Sequence, residues 1–518
     1  MTLAVEKLEG MKPEARRVLI VGAGPTGLVL ALWLTRLGVR VRIVDRAAEA
    51  GTTSRAVAVQ ARTLELYRQV GLSTAVVDAG VKVAAANLWA GGARVARLPL
   101  GQLGKGLSPF PYALTYQQDA HERLLIERLA ALGVEVERRT ELLRFDQDAE
   151  KIRAVLKRPD GSAEICEATY LAGCDGAHSA AREALGVQFS GGTYPGIFYV
   201  ADVEATGPPA DSEIHVDLED ADFLAVFPLK GVGRLRLVGP VNRGAGGQSR
   251  EVAFADVARR ALENLKLTVA EVNWFSTYHV HHRVAARFRN GRVFLLGDAA
   301  HVHSPVGGQG MNTGIGDAIN LAWKLAAVLG GAAPVRLLDS YEPERIAFAR
   351  RLVASTDRAF ILVTRQGPLA RWVRTRLAPL IGPALFRLAP MRRFFFHTVS
   401  QIGVHYRDSP LSAGIAGRVR GGDRLPWVDL QPAADNFAPL ASLTWQVHVY
   451  GDPPDGLAQT CSKLKVALHA FEWRDEMRRA GLARGALYLV RPDGYVALAD
   501  LAGRGERLRQ YFHEWMNQ

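Results

Sequence analysis

The first residues able to do chemistry are Gly22-Ala23-Gly24-Pro25-Thr26-Gly27, which follow the apolar run Val18–Val21 and open a helix-like stretch ending at Leu37. In such a turn the first glycine permits the tight bend and the second lets the backbone approach a pyrophosphate. The third allows close helix–strand packing, and the helix N-terminus turns its partial positive charge on the phosphates. Asp45 ends the next strand-like run, 18 residues past Gly27, where a carboxylate can bind ribose hydroxyls. A glycine turn alone can be purely structural. Strand, turn, helix and acid together point to a dinucleotide.

A second constellation lies far downstream. The run Arg292–Leu296 leads into Gly297-Asp298-Ala299-Ala300-His301, followed by Ser304-Pro305-Val306-Gly307-Gly308-Gln309-Gly310-Met311-Asn312. Asp298 can accept a hydrogen bond from a sugar-like hydroxyl. The glycine-rich stretch leads into a helical pattern from Asp317 and aims several N–H groups at one place. That arrangement suits the negative charge that develops along the N1–C2=O edge of a flavin on reduction. The competing reading is a glycine-rich lid without a cofactor.

A third stretch, Cys174-Asp175-Gly176-Ala177-His178-Ser179 with Arg182, lies between the other two. With the three in this order, the chain resembles the class A flavoprotein monooxygenases of the para-hydroxybenzoate hydroxylase fold. The resemblance implies non-covalent FAD, NADPH or NADH as co-substrate, and O2. It implies a cycle in which the reduced flavin forms a C4a-hydroperoxide whose distal oxygen passes to an electron-rich aromatic carbon. It also implies residue roles. Asp45 holds the adenosine ribose, and Arg55 approaches the pyrophosphate. Gln118 contacts the ribityl or ring region, and Asp175-Gly176 serves both FAD and the pyridine nucleotide. Gly297-Asp298 binds the ribitol. Pro305, Gly307 and Gly308 line the flavin face, and Gly310, Met311 and Asn312 meet the ring through the backbone. No side-chain acid or base is assigned. Arg46 beside Asp45 suggests NADPH, or is a surface arginine. Epoxidation, Baeyer–Villiger insertion, a flavin oxidase or dehydrogenase, and a non-catalytic flavin-binding protein stay open as alternatives.

These motifs need elements to position them, and the expected fold class is α/β. Residues 1–16 read as an exposed tail. Residues 17–189 form the first part of a Rossmann-like FAD-binding domain, opening with a βαβ unit and hence a parallel sheet. Residues 190–285 contain short alternating runs separated by turn clusters, the pattern of an inserted antiparallel substrate sheet. Residues 286–405 return to the FAD-binding domain with helical patterns over 317–328 and 340–364. After a glycine-rich linker from Gly414 to Gly422, residues 406–518 form a small α/β domain. Its Arg491-Pro492-Asp493-Gly494-Tyr495-Val496 resembles the thioredoxin-like C-terminal domain of phenol-, polyketide- and rifampicin-type hydroxylases. It carries no C-x-x-C, so the expectation there is a structural or dimer-contact role.

For substrate, the alternation of Arg234 and Arg236 with leucines puts both arginines on one sheet face, directed either to solvent or to an anionic or phenolate substrate. His279 and His281 share a face by the same argument, and His281 is a candidate on the substrate side. His301 and His303 have no further ligands at metal spacing, so no metal is expected.

Composition bounds the rest. The chain has 518 residues, 48% hydrophobic and 22% charged, with three cysteines and a net charge of +12. No apolar run reaches a bilayer span, and the cysteines form no disulfide framework, so a cytoplasmic protein with no membrane partner is expected. The arginines are scattered without interleaved aromatics, which argues against nucleic acid. The expected partner is a small aromatic molecule, and the protein itself is expected to be a monomer or homodimer.

Overall fold

The computed structural model describes residues 17–51, 56–219, 223–241, 253–254, 259–305, 307–364, 367–430 and 435–517. Residues 1–16 and Arg55 therefore lie outside the described residues.

The apolar strand Arg17–Val21 sits centrally in a six-stranded sheet, parallel to Arg40–Asp45 on one side and Tyr170–Gly173 on the other. Val136–Arg138 and Val293–Leu295 extend it in the same sense, and only the short Arg289–Asn290 runs antiparallel. Strands buried on both faces read as unbroken apolar runs, as Val18 to Val21 does. The helix Pro25–Arg36 starts with proline at its first position and is followed by Gly38 at φ +79°, the asymmetry expected of helix ends. It packs between this sheet and the long helix Gly310–Leu329, with Leu28 to Leu34 all buried.

An eight-stranded sheet covers the residues around 56–60 and 113–118. Its order is His301–Val302, Thr268–Ala285, Phe189–Thr206, Arg234–Pro240, Leu224–Pro228, Ile214–Asp217, Ala85–Ala90, Ala93–Pro99. Three of these strands depart from the expected domain boundaries: His301–Val302, which pairs with Arg283–Val284, and the two strands of a hairpin. The hairpin 85–99 turns through Gly91 and Gly92, both at positive φ, and belongs to this sheet through parallel pairing of Ala86–Trp89 with Ile214–Asp217. The hairpin is readable locally, but the sheet it joins is decided by a partner more than 120 residues away.

Two other boundaries moved. The helix expected from residue 317 begins at Gly310, and the stretch 414–422 is no linker. Ala413–Ala416 pairs in parallel with Val496–Asp500 and antiparallel with Val419–Arg420, giving the C-terminal domain a six-stranded mixed sheet. Gly414 is required there, because a Cβ on it would lie 2.1 Å from the Ala499 carbonyl. No described helix is long and apolar enough to cross a membrane.

Candidate flavin site

The glycine turn tests its own reading. A Cβ on Gly22 would lie 2.3 Å from the Cys174 carbonyl oxygen, and one on Gly27 would lie 2.0 Å from the Gly22 oxygen. Those two glycines are explained by the fold. Gly24 is not. Its φ is −76°, open to any residue, and a Cβ there would meet no protein atom within 4 Å. The helix it caps has no side-chain cap and no acid in its first turn, so its N-terminal field is left for an anion. Asp45 lies beside this end: one oxygen accepts the Ala23 N–H at 2.6 Å and the other the Ala47 N–H at 2.7 Å. Arg46, next in the chain, is exposed.

Thr26 joins the turn to the downstream motif. Its hydroxyl would lie 2.6 Å from a Cβ on Gly297 and 2.2 Å from one on Gly314, so both glycines bring the helices Pro25–Arg36 and Gly310–Leu329 together. Gly297 is at φ +57° and starts a short 3-10 turn that presents Asp298 to solvent. Behind it, fully buried Asp317 accepts the Gly297 N–H at 3.0 Å and pairs with His301 Nε2 at 2.8 Å.

Several side chains knit down the loop after Asp298: Gln60 Nε2 donates to the Gly307 carbonyl at 3.0 Å, Gln401 Nε2 to the Gln309 carbonyl at 3.2 Å, and Asn312 makes the most bonds. Asn312 accepts from the Gln60 N–H at 2.9 Å and the Thr63 hydroxyl at 2.8 Å, and donates to the carbonyls of Ala58 and Gly308 at 2.9 and 3.0 Å. Its amide is thereby used up within the protein. What the helix start offers outward is backbone: the first N–H groups of a helix, here those of Gly310, Met311 and Asn312, have no intrahelical partner. Pro305 and Gly307 are exposed at the rim, and Gly308 packs so that a Cβ would meet Ala58 at 2.7 Å. His303 donates from Nδ1 to the Ser304 carbonyl, leaving Nε2 buried without a partner close to Gly310. Burial pushes this imidazole down to about 4, so it is neutral at physiological pH. An open Gly24, an uncapped helix start and an orphaned acceptor all fit a bound nucleotide with a heteroaromatic ring.

Two further expected residues frame the site. Gln118 accepts from the Ala56 N–H at 3.1 Å and donates to Glu122 at 2.9 Å. Glu122, raised by burial, also accepts the Gly51 N–H at 2.9 Å. Asp175 is likewise raised by burial and accepts the Ser179 hydroxyl at 2.5 Å and the Ala181 N–H at 3.1 Å. Arg182 bridges the carbonyls of Ala177 and Ala299, at 2.8 and 3.0 Å, and so ties the Asp175-Gly176 stretch to the Asp298 turn.

On the sheet above, register places Asp202, Arg236, Phe227 and Trp274 side by side, with Val200, Val238, Phe198 and Tyr278 on the same face. That face meets the flavin domain: Gln117 Nε2 donates to Asp202 at 3.0 Å and Arg236 Nη1 to the Ala56 carbonyl at 2.9 Å. Phe227, Trp274 and Tyr278 are only half-buried. Arg236 does not face solvent; it is 0% exposed and gripped by Asp202. Arg234 is half-buried nearer the strand start. His281 bonds Thr193 at 2.8 Å, and strand alternation puts it opposite Tyr278. On the Tyr278 side stands His282, next to Tyr194, which in turn bonds Asp357. Sequence reading missed this cluster, because its members are about 75 to 165 residues apart. Among the described residues no group of histidine, cysteine or acid side chains is placed to hold a metal.

A family model described as an FAD binding domain matches residues 15–356. The 6-methylpretetramide 4-monooxygenase of Streptomyces rimosus is 38% identical over 79% of this chain and 74% of its own. The 12-dehydrotetracycline 5-monooxygenase/anhydrotetracycline 6-monooxygenase of Streptomyces rimosus subsp. rimosus is 36% identical over 92% of this chain and 94% of its own. The solved structure of an anhydrotetracycline hydroxylase from Streptomyces rimosus superposes with a TM-score of 0.77 at 29% identity, covering 97% of this chain and 99% of that one. By these matches the chain belongs to the FAD-dependent aromatic monooxygenases.

Proposed function

We propose that this monooxygenase hydroxylates a multi-ring phenolic compound of the polyketide type, with NADPH or NADH as donor. The carrying observation is the width of the aromatic face over the flavin site. Phe227, Val238, Val200, Trp274 and Tyr278 occupy four neighbouring strands. Three inter-strand steps of ~4.8 Å make a wall about 14 Å wide, longer than a single phenol ring. The relatives that act on tetracycline-type molecules lend support.

The chemistry that bound FAD supplies is acceptance of a hydride from NAD(P)H and activation of O2. The net change is insertion of one oxygen atom into an aromatic C–H, with the other leaving as water. The chain's part is to bind and to shield. Gly24 and the helix start at Pro25 take the pyrophosphate, Asp45 the adenosine ribose, and Asp298 the ribitol. The N–H groups of Gly310, Met311 and Asn312 stabilise negative charge at the ring edge. The Arg236–Asp202 pair closes the sheet onto residues 56 and 117, keeping water from that side. Three buried free thiols suit a reducing cytoplasm.

Testing requires FAD-loaded protein, NADPH or NADH, and a panel running from monocyclic phenols to tetracyclic naphthacene phenols. The expected result is substrate-stimulated NADPH oxidation with a product one oxygen heavier, strongest for multi-ring compounds. A preference for single-ring phenols overturns the substrate reading. Peroxide formed in step with NADPH for every compound overturns hydroxylation of any phenol in the panel.

A further inference from the structure

The turn Arg491-Pro492-Asp493-Gly494 of the C-terminal domain has no part in the site described above. Yet Arg491 is 0% and Asp493 2% exposed. Arg491 donates to both oxygens of Glu344, at 2.8 and 3.1 Å, and to Asp493 at 3.0 and 2.6 Å. Asp493 also accepts from Trp323 Nε1 at 3.0 Å, and its backbone carbonyl from Arg62 at 2.6 Å. Glu344 further receives Lys324, Asn320 and Ser409, at 2.8, 2.6 and 2.7 Å. As mere glue this is expensive, since apolar residues of similar volume often hold such a contact as well or better. What a fully satisfied ionic cluster does provide is one fixed geometry.

That geometry reaches the flavin turn in one residue. Glu344 is followed by Arg345, whose Nε donates to Asp317 at 2.5 Å. Asp317 is the carboxylate that accepts the Gly297 N–H and pairs with His301. Arg345 Nη1 also donates to the Tyr406 hydroxyl at 2.7 Å. The Tyr406 ring lies 4.4 Å from that of Tyr495 and 5.3 Å from the Arg491 guanidinium. Two adjacent residues of one helix therefore hold the C-terminal domain and the turn that carries Asp298.

The geometry points to the C-terminal domain as a positioning element of the flavin site, with Arg491 and Tyr406 acting through Glu344–Arg345 and Asp317 on the Gly297–Asp298 turn. This rests on the reading that Asp298 meets the ribityl chain. Arg491 and Tyr406 are positioning residues, acting through their bonds to Glu344 and Arg345.

The test uses the full-length chain with three variants: Arg491→Lys, which keeps the charge but loses the two-pronged grip; Tyr406→Phe, which removes one hydroxyl; and Asp298→Ala as the control for the turn. FAD affinity is measured by flavin-fluorescence titration of the apoprotein, well below each variant's Tm. The visible spectrum and two-electron potential of the bound flavin are recorded alongside. The expected result is that Arg491→Lys and Tyr406→Phe each weaken FAD binding by about 5-fold and shift the potential. A lower Tm with wild-type FAD affinity, spectrum and potential shows that the domain only stabilises the fold, and overturns the proposal. If Asp298→Ala weakens FAD while the other two leave it unchanged, only the coupling fails. If Asp298→Ala also leaves it unchanged, the reading of the turn fails and the coupling with it. Should Arg491→Lys not fold, Tyr406→Phe decides alone.

Discussion

Arg236 grips Asp202 from the neighbouring strand at both ends, Nε to one oxygen at 2.7 Å and Nη2 to the other at 2.8 Å. The arginine is wholly buried and its partner nearly so, and the pair stands where the eight-stranded sheet meets Ala56 of the first domain. Removing one member strands a buried charge, so Arg236→Met is expected to cost about 3–5 kcal/mol in urea denaturation. The double variant Arg236→Met/Asp202→Leu should recover most of that. A single-variant loss below about 1 kcal/mol, the scale of an exposed pair, would show that the pair does not hold the sheet in place.

Gly24 and Gly27 of the glycine turn should separate fold from ligand. Gly24→Ala adds a methyl into space that the protein leaves open, so the melting temperature of the apoprotein should stay put. FAD affinity should fall about tenfold or more, since 1.4 kcal/mol of steric conflict suffices. Gly27→Ala drives a methyl to 2.0 Å from the Gly22 carbonyl oxygen and should abolish folding. Circular dichroism and flavin titration of the two variants check both statements. Wild-type FAD affinity in Gly24→Ala would mean that the pyrophosphate passes elsewhere.

Asn312 invites a test of the ring loop. Asn312→Asp keeps the shape but turns the two donations, to the Ala58 and Gly308 carbonyls, into repulsions. The expected cost is about 2 kcal/mol in stability. The expected functional effect is a larger share of NADPH lost to hydrogen peroxide, because a looser loop admits water. Product and peroxide yields per NADPH, measured side by side, give the answer; unchanged yields would place the loop away from the reaction.

What sequence reading found and what it missed divide by range. Gly22 to Gly27 and Asp45 were legible because strand, turn, helix and acid are contiguous. Alternation correctly put Arg234 and Arg236 on one face. It left open what lies across from that face, because Asp202 and Ala56 are 34 and 180 residues away. The start of the helix from Gly310 looks like loop in the sequence, because Gly310, Gly314 and Gly316 are poor helix formers. Packing overrides propensity there: Gly314 lies against Thr26, and a Cβ on Gly316 would press on Arg345 at 3.1 Å. Arg491 and Asp493 were visible as a motif, but their partner Glu344 is 147 residues from Arg491, and no local pattern announces it.

Acid should unfold this protein partly through its buried histidines. Burial holds His121 and His303 down to about 4 and His448 to about 3, against about 6.5 in an unfolded chain. Below about pH 6.5 the unfolded chain takes up protons that the folded one refuses. Each histidine's contribution is therefore complete above about pH 6.5 and is lost as the pH falls toward the folded value. Between pH 7.5 and 5 that loss is about 2 kcal/mol per histidine. His448 lies in the C-terminal domain, bonded to Gln446 at 2.9 Å. His448→Gln keeps an uncharged donor for that bond at every pH. Urea denaturation at both pH values should show the variant losing about 2 kcal/mol less than the parent on acidification. Equal losses would mean that His448 protonates within the folded protein.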